Sequence, residues 1–301
     1  MHVLLPSLLA CPRCKAELLI REPHCLCKKC EISYTIEHGI PLLSDSAINR
    51  DKRLAVEEHA QNQARHMYID ANSIVNKREE YLYQDLMNGL SELSGPVADI
   101  GCGVGRLGHV LNKTRRGNID LIGMDLTTSL LSHAGEGYAS LVEGDIHRLP
   151  FKSNVFSAVI LHNILHHAVD PQKAFQESVR VLKPGGIVQM YDPRYFSFIE
   201  NIKRILPRDQ SAFAPTHTAF SLKQYRTLLH DPSIRLETLT IKAIDPIGPV
   251  VSTLLDLAHT GALGIADSIG WLLNKIDRTI DFLDPTHTLG LMVLARARKL
   301  P

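Results

Sequence analysis

Between Val97 and Arg106 the chain reads Val-Ala-Asp-Ile-Gly-Cys-Gly-Val-Gly-Arg. A short apolar run carries an acid, glycines follow at alternate positions, and a helical pattern begins. Few folds accommodate such a stretch. The apolar run is a buried strand, and the sharp turn after it needs residues without a Cβ. Bare backbone N–H groups at the start of the helix then face a ligand that can come close. A tight strand-to-helix turn with no ligand has the same local signature, so the later strands must decide between the two.

The phosphate-cradling Gly-x-x-x-x-Gly-Lys-Ser/Thr pattern is absent, which disfavours nucleotide triphosphate hydrolysis. A second strand, Ile119 to Met124, ends in Asp125, about 20 residues after the turn, where an acid accepts hydrogen bonds from ribose hydroxyls. Dinucleotides and S-adenosylmethionine both meet that requirement. Leu141-Val142-Glu143-Gly144-Asp145-Ile146 reads as a third strand ending in an acid, and Asn154 to His162 as a fourth. Leu165-His166-His167-Ala168-Val169-Asp170-Pro171, a helix, and Val181-Leu182-Lys183-Pro184-Gly185-Gly186 come next.

This ordered set resembles the class I S-adenosylmethionine-dependent methyltransferases, in particular their ubiquinone-biosynthesis-like branch, densely over residues 95–192. The resemblance implies an α/β fold: a doubly wound, seven-stranded Rossmann-like sheet with an antiparallel last strand. It implies that Asp99, Gly101 and Gly103 line the methionine end of the cofactor, with Cys102 beside them. Asp125, next to Leu126, would hold the ribose, Asp145 and Ile146 would border the adenine, and Leu161 and His162 would face the sulfonium. Ser157 stands where the family often has Asp, at a position that is usually structural.

The second strong feature is the cysteines. Five of the six lie between Cys11 and Cys30. Cys11-Pro12-Arg13-Cys14 and Cys27-Lys28-Lys29-Cys30 are two knuckles that aim four thiolates at one ion. Free thiols or disulfides are the alternative, and nothing in the first ten residues suggests the charged start of a secretion signal. Cys25 competes with Cys27 as a ligand; His24 and His38 are lesser alternatives. A segment of this size builds little core, so zinc would supply its folding energy. With Tyr34 to Leu43, the segment Leu8 to Ser44 resembles a small zinc-ribbon family that includes the activator subunit of tRNA, rRNA and protein methyltransferases. Residues 1–45 are therefore expected to be a zinc ribbon. Its five basic residues are matched by five acidic ones, whereas a ribbon gripping RNA phosphates should be clearly basic. A stabilising role fits better.

Charge over the whole chain is balanced, 33 Lys and Arg against 32 Asp and Glu, so no global field recruits nucleic acid. No uninterrupted apolar span reaches membrane length, and a cytoplasmic enzyme is expected. Residues 46–94 read as a linker with helices at Arg53–Asn62 and Lys77–Leu93 that cover the cofactor; Tyr68, Tyr81 and Tyr83 are expected in packing. In the methyltransferase segment 95–301, further strands lie at Ile187–Tyr191, Arg235–Ile244 and Leu289–Ala297, and Ser221 caps a helix through His230. Two insertions, about 192–220 and 246–286, exceed the minimal pattern. The first should form a lid above the ligand crevice. The second is apolar and suits lid packing, a substrate wall or a homodimer surface.

A methyl-donating cofactor needs a placed nucleophile and exclusion of water, and a base only where the nucleophile carries a proton. His162, His166, His167, Tyr195 and His217 are the candidates. His166 and His167 suit a structural role, leaving His162 and His217 to orient or deprotonate the substrate. The sequence thus points to methyl transfer onto a small, partly apolar molecule, with RNA or protein methylation through a docking ribbon as the alternative.

Overall fold

In the computed structural model, residues 4–44, 73–88, 94–114, 119–194, 220–257, 265–284 and 289–301 are described. Seven strands make the main sheet: β5 (Val97–Ile100), β6 (Leu121–Asp125), β7 (Ser140–Glu143), β8 (Phe156–His162), β9 (Leu182–Pro193), β10 (Leu236–Ile244) and β11 (Met292–Lys299). Their order is β10-β11-β9-β8-β5-β6-β7. Neighbours from β9 to β7 run parallel, whereas β11 is antiparallel to both β9 and β10. Every residue of β5 and β8 is buried, as expected for parallel strands covered on both faces. The expected seven-stranded sheet with its antiparallel last strand is therefore present.

Some boundaries differ from the sequence reading. The third strand ends at Glu143 rather than Ile146, because Asp145 turns its carboxylate back to the His147 N–H and starts a 3-10 turn, Ile146–Arg148. The fourth begins at Phe156: Asn154 has a φ of 60°, a left-handed conformation that asparagine tolerates. β9 is longer than expected at both ends, and β11 starts three residues later than the apolar pattern suggests.

Helices cover both faces. They are α1 (Leu5–Leu8), α2 (Ile74–Asn88), α3 (Arg106–Lys113), α4 (Thr128–Leu131), α5 (Pro171–Val181), α6 (Leu222–Leu229), α7 (Gly248–Leu257) and α8 (Ala266–Leu283). Ser221 caps α6 in a full capping box with Gln224. The second insertion is α7 and α8, and α8 packs along α2. Gly270 permits that approach, since a Cβ there would meet the Arg78 backbone nitrogen and Lys77 Cβ, each at 2.8 Å. The expected helix Arg53–Asn62, Tyr68, Tyr195, His217 and most of the first insertion lie outside the described residues.

The N-terminal segment is a four-stranded antiparallel sheet, β1 (Leu19–Arg21), β2 (His24–Cys27), β3 (Ile32–Glu37) and β4 (Ile40–Pro41). It docks on the main body at two places. Leu9 bridges Phe151, and the Ala10 N–H reaches the Pro150 carbonyl at 2.9 Å. Leu42 bridges Glu143, and the Leu43 N–H donates to the Glu143 carbonyl. Leu5, Leu9 and Leu43 are fully buried in the same apolar cluster as Phe151, Phe156 and Phe175. A segment too small for a core of its own thus shares the core of its neighbour.

Candidate active site and metal centre

The turn after β5 positions the first group of side chains. Gly101, Gly103 and Gly105 all have positive φ, 78°, 53° and 83°. A Cβ on Gly101 would strike the Ile164 side chain at 2.5–2.9 Å, whereas one on Gly103 would meet nothing within 4 Å among the described residues. The turn is therefore closed on one side and open on the other. Asp99 lies below it, 4% exposed, and accepts a 2.6 Å hydrogen bond from the Tyr138 hydroxyl. Burial pushes its carboxyl up to about 7. Cys102 is buried, and burial pushes its thiol upward too.

Asp125, at the end of β6, ties this turn to the next loop. Its Oδ2 accepts from the Gly103 N–H and its Oδ1 from the Thr127 N–H, both at 2.9 Å. The Thr127 side chain and the Leu126 N–H also hydrogen-bond to this carboxylate. Leu126 beside it is half-buried. Asp145 accepts from the His147 backbone N–H at 2.9 Å and from His147 Nδ1 at 2.7 Å. Burial raises its carboxyl, but the His147 hydrogen bonds and the nearby charge of Arg148 outweigh this and hold it low. His147 Nε2 accepts from the Asp170 N–H, and Ile146 is half-buried.

At the end of β8, Leu161 is fully buried and His162 is 7% exposed. The His162 ring stacks on Tyr83 of α2 with centroids 5.2 Å apart and meets Tyr191 edge-on. Burial, aided by the positive charge of Arg296, holds its imidazole at about 3, so it is neutral near pH 7. His166 donates its backbone N–H to Asp192 Oδ2 and shares a 2.9 Å contact between Nδ1 and Asp192 Oδ1. The Tyr225 hydroxyl also donates to Asp192. Asp192 thereby ties the segment after β8 to β9 and α6.

The site residues from Asp99 to His162 lie along the carboxyl edge of neighbouring parallel strands, where doubly wound sheets bind ligands. An open turn at Gly103 and an acid at the end of the next strand fit an adenosine cofactor.

Comparison with known proteins settles the class. Residues 98–190 match the family described as a methyltransferase domain. A demethylmenaquinone methyltransferase of Shouchella clausii is 26% identical over 195 residues, covering 58% of this chain and 82% of that protein. One from Desulfitobacterium hafniense is 34% identical over 104 residues, covering 32% of this chain but only 41% of its own length. Residues 98–190 are an S-adenosylmethionine-dependent methyltransferase domain. Among solved structures, a complex of the Haloferax volcanii Trm112 methyltransferase activator with a putative methyltransferase shares the fold. The TM-score is 0.50 at 14% identity, covering 85% of this chain and all of that one.

Beside the methyltransferase domain, the ribbon gathers a second constellation. The Sγ atoms of Cys11, Cys14, Cys27 and Cys30 all lie within 4.8 Å of one another. Cys11–Cys30 and Cys14–Cys27 are 3.9 and 3.6 Å apart. Tetrahedral zinc with bonds of about 2.3 Å needs sulfurs roughly 3.8 Å apart, so this donor set fits zinc. Cys25 is outside the group: it is buried in the apolar core, and burial raises its thiol to about 11.

Several residues around the methyltransferase site carry no motif. Tyr138 reaches Asp99 because Gly108 and Gly123 leave a slot for its ring, which a Cβ on either would overlap. Gln189 and Arg296 are register partners on β9 and β11, joined by a 2.6 Å hydrogen bond from Arg296 Nε to Gln189 Oε1. Only one signal pointed to them, a polar residue inside the apolar run Ile187–Tyr191.

Proposed function

We propose that the methyltransferase domain transfers the methyl group of S-adenosylmethionine to a small, partly apolar molecule. The cofactor supplies an electrophilic methyl on a positive sulfur that departs as a neutral thioether. Asp125 would accept from the ribose hydroxyls, and its bonds to Gly103 and Thr127 keep it oriented before the cofactor arrives. Asp99 would face the methionine end, and Asp145 with Ile146 the adenine. Gly101, Cys102, Gly103, Leu126 and Leu161 would line the cofactor. His162 would stand on the acceptor side. At about 3 its imidazole is a poor base, which favours orientation over proton abstraction. His217 stays a candidate by its sequence position.

The observation that carries the donor assignment is the Asp125 carboxylate bridging the open glycine turn. The acceptor class rests on the two demethylmenaquinone methyltransferase relatives and on the charge balance of the chain. Cys11, Cys14, Cys27 and Cys30 would hold a structural zinc, consistent with a reducing, cytoplasmic setting. No described helix is long and apolar enough to cross a membrane.

Calorimetry with S-adenosylhomocysteine tests the donor assignment, and absence of binding to zinc-loaded protein refutes it. A cell extract treated with labelled S-adenosylmethionine tests the acceptor. Label is expected in the small-molecule fraction; label in RNA or protein would instead favour the ribbon as a docking element, as the likeness to a Trm112-bound complex suggests.

A further inference from the structure

The hydrogen bonds around His162 fix which of its nitrogens carries the proton. Arg296 has only donors, so the Gln189 oxygen must face Arg296 Nε, as it does at 2.6 Å. That leaves the Gln189 amide N–H to face His162 Nε2, 3.3 Å away. His162 Nε2 therefore accepts, and in the neutral ring the proton sits on Nδ1. Arg296 is itself anchored, since its NH2 group donates to the Leu86 carbonyl of α2 at 2.9 Å.

Among the described residues, His162 Nδ1 is buried and has no hydrogen-bond partner, and a buried donor left unsatisfied is costly. Its direction is set by the register. His162 pairs with Tyr191 across parallel β8 and β9, and Gln189 lies two residues back toward the start of β9. Nε2 points back along the strands to Gln189. The two nitrogens of an imidazole face away from one another, so the Nδ1–H lies on the side of the ring away from Gln189, toward the carboxyl ends of β8 and β9.

All three links of this chain donate in one direction, from a guanidinium cation through an amide to an imidazole. Aligned hydrogen bonds polarise one another, and the terminal N–H is a preorganised donor of the kind that stabilises an oxyanion. We infer that His162 Nδ1–H binds an ionised oxygen of the methyl acceptor, so the acceptor is a phenolate or enolate whose oxygen is conjugated with the attacking atom. The inference rests on the methyl-transfer reading above. The acceptor proton goes to solvent when the phenol or enol ionises. The conjugated nucleophile then forms its bond to the methyl carbon while the sulfonium sulfur keeps the electron pair of the broken S–C bond. His162 keeps its own proton throughout.

The test uses the full-length, zinc-loaded chain saturated with S-adenosylhomocysteine. The probes are 4-nitrophenolate, at mildly alkaline pH where it is ionised, and uncharged 4-nitrotoluene of similar shape. A hydrogen bond to a charged partner implies roughly a 10- to 100-fold preference for the phenolate. His162→Leu should abolish the preference. His162→Asn, whose amide N–H stands near the place of Nδ1, should largely retain it. No preference in the native chain, no binding of either probe, or a preference equal in His162→Leu overturns the inference. Nitrogen NMR of 15N-histidine-labelled protein, with His162 assigned by its loss in the Asn variant, must show the Nδ1–H tautomer. The Nε2–H tautomer or an imidazolium near pH 7 overturns it as well. That spectrum needs no cofactor, so it tests His162 even if S-adenosylhomocysteine fails to bind and the methyl-transfer reading falls.

Discussion

Two groups of acids stand at the same edge of the sheet and are held in opposite ways. Asp99, Asp125 and Asp145 face backbone N–H groups, a tyrosine hydroxyl and a histidine. Asp245 and Asp277, past the end of β10, face arginines. Arg78 of α2 pairs with Asp245 at 3.0 Å and Asp277 at 3.2 Å, and Arg278 of α8 reaches Asp245 at 2.7 Å. Tyr191 also donates to Asp245, and Asp277 receives the N–H groups of Ile247 and Gly248 at the start of α7. The bonds of Asp99 and Asp125 in the first group come from neutral donors. The second is internally compensated and joins α2, α7 and α8 to the sheet. Buried acids alone therefore do not mark a site; the second group is set apart by its bonds to Arg78 and Arg278.

Breaking the compensated group should have the largest effect. Arg78→Met leaves Asp245 and Asp277 with one fewer cation in a buried setting, and removing one partner of such a pair costs about 3–5 kcal/mol. Urea denaturation should show that loss; a loss below about 1 kcal/mol would mean the cluster is solvated and the contrast false. Asp125→Asn is the converse. S-adenosylhomocysteine affinity should fall roughly 10- to 100-fold, the range for hydrogen bonds to a charged group, with the denaturation midpoint little changed. A collapse in stability with unchanged affinity would place Asp125 among the structural acids.

The pH dependence sharpens the contrast further. Burial, then repulsion by Asp245, raises the Asp281 carboxyl to about 6 from 3.8. A raised carboxyl binds more protons folded than unfolded, so its contribution is full below pH 3.8 and is lost as pH rises toward 6. Asp281→Asn should flatten that decline in a stability–pH profile. His162 runs the other way. Burial lowers it to about 3 from 6.5, so its contribution is present above pH 6.5 and is lost as pH falls toward 3. His162→Asn should lessen the acid-side loss across that window. The smallest effect is a partial proton. Asp99 lies at about 7 in the ligand-free protein, and a ligand ammonium beside it would lower that value. Cofactor binding near pH 7 should then release a fraction of a proton, seen as calorimetric heat that varies with the buffer; uptake instead of release would remove Asp99 from the methionine end.

Much of this organisation was legible along the chain. The glycine turn and the acids closing β5 and β6 are local patterns, because backbone geometry demands glycine at positive φ and strands of period two place each acid at a fixed offset. The cysteine knuckles are similarly local, since two residues between thiolates set the reach to one ion. The third strand was read too long because the Asp145 side chain competes for a backbone N–H, a local choice that hydrophobic periodicity does not show. Cys25 and Cys27 share a strand face and both are buried, and only the folded ribbon shows that Cys27 joins the other three thiols while Cys25 does not.

The sequence by itself pointed to the class of fold and the class of cofactor, and narrowed the sulfur donors to the five N-terminal cysteines, because each depends on residues close together in the chain. Tertiary structure decided the rest. Arg296, Gln189, His162 and Tyr83 come from three strands and a helix, and the His162 tautomer exists only once β8, β9 and β11 stand in register. Arg78, Asp245 and Asp277 become a compensated cluster only when α2 and α8 close on the sheet. Side-chain charge and proton position respond to partners through space, and a one-dimensional pattern carries no information about who those partners are.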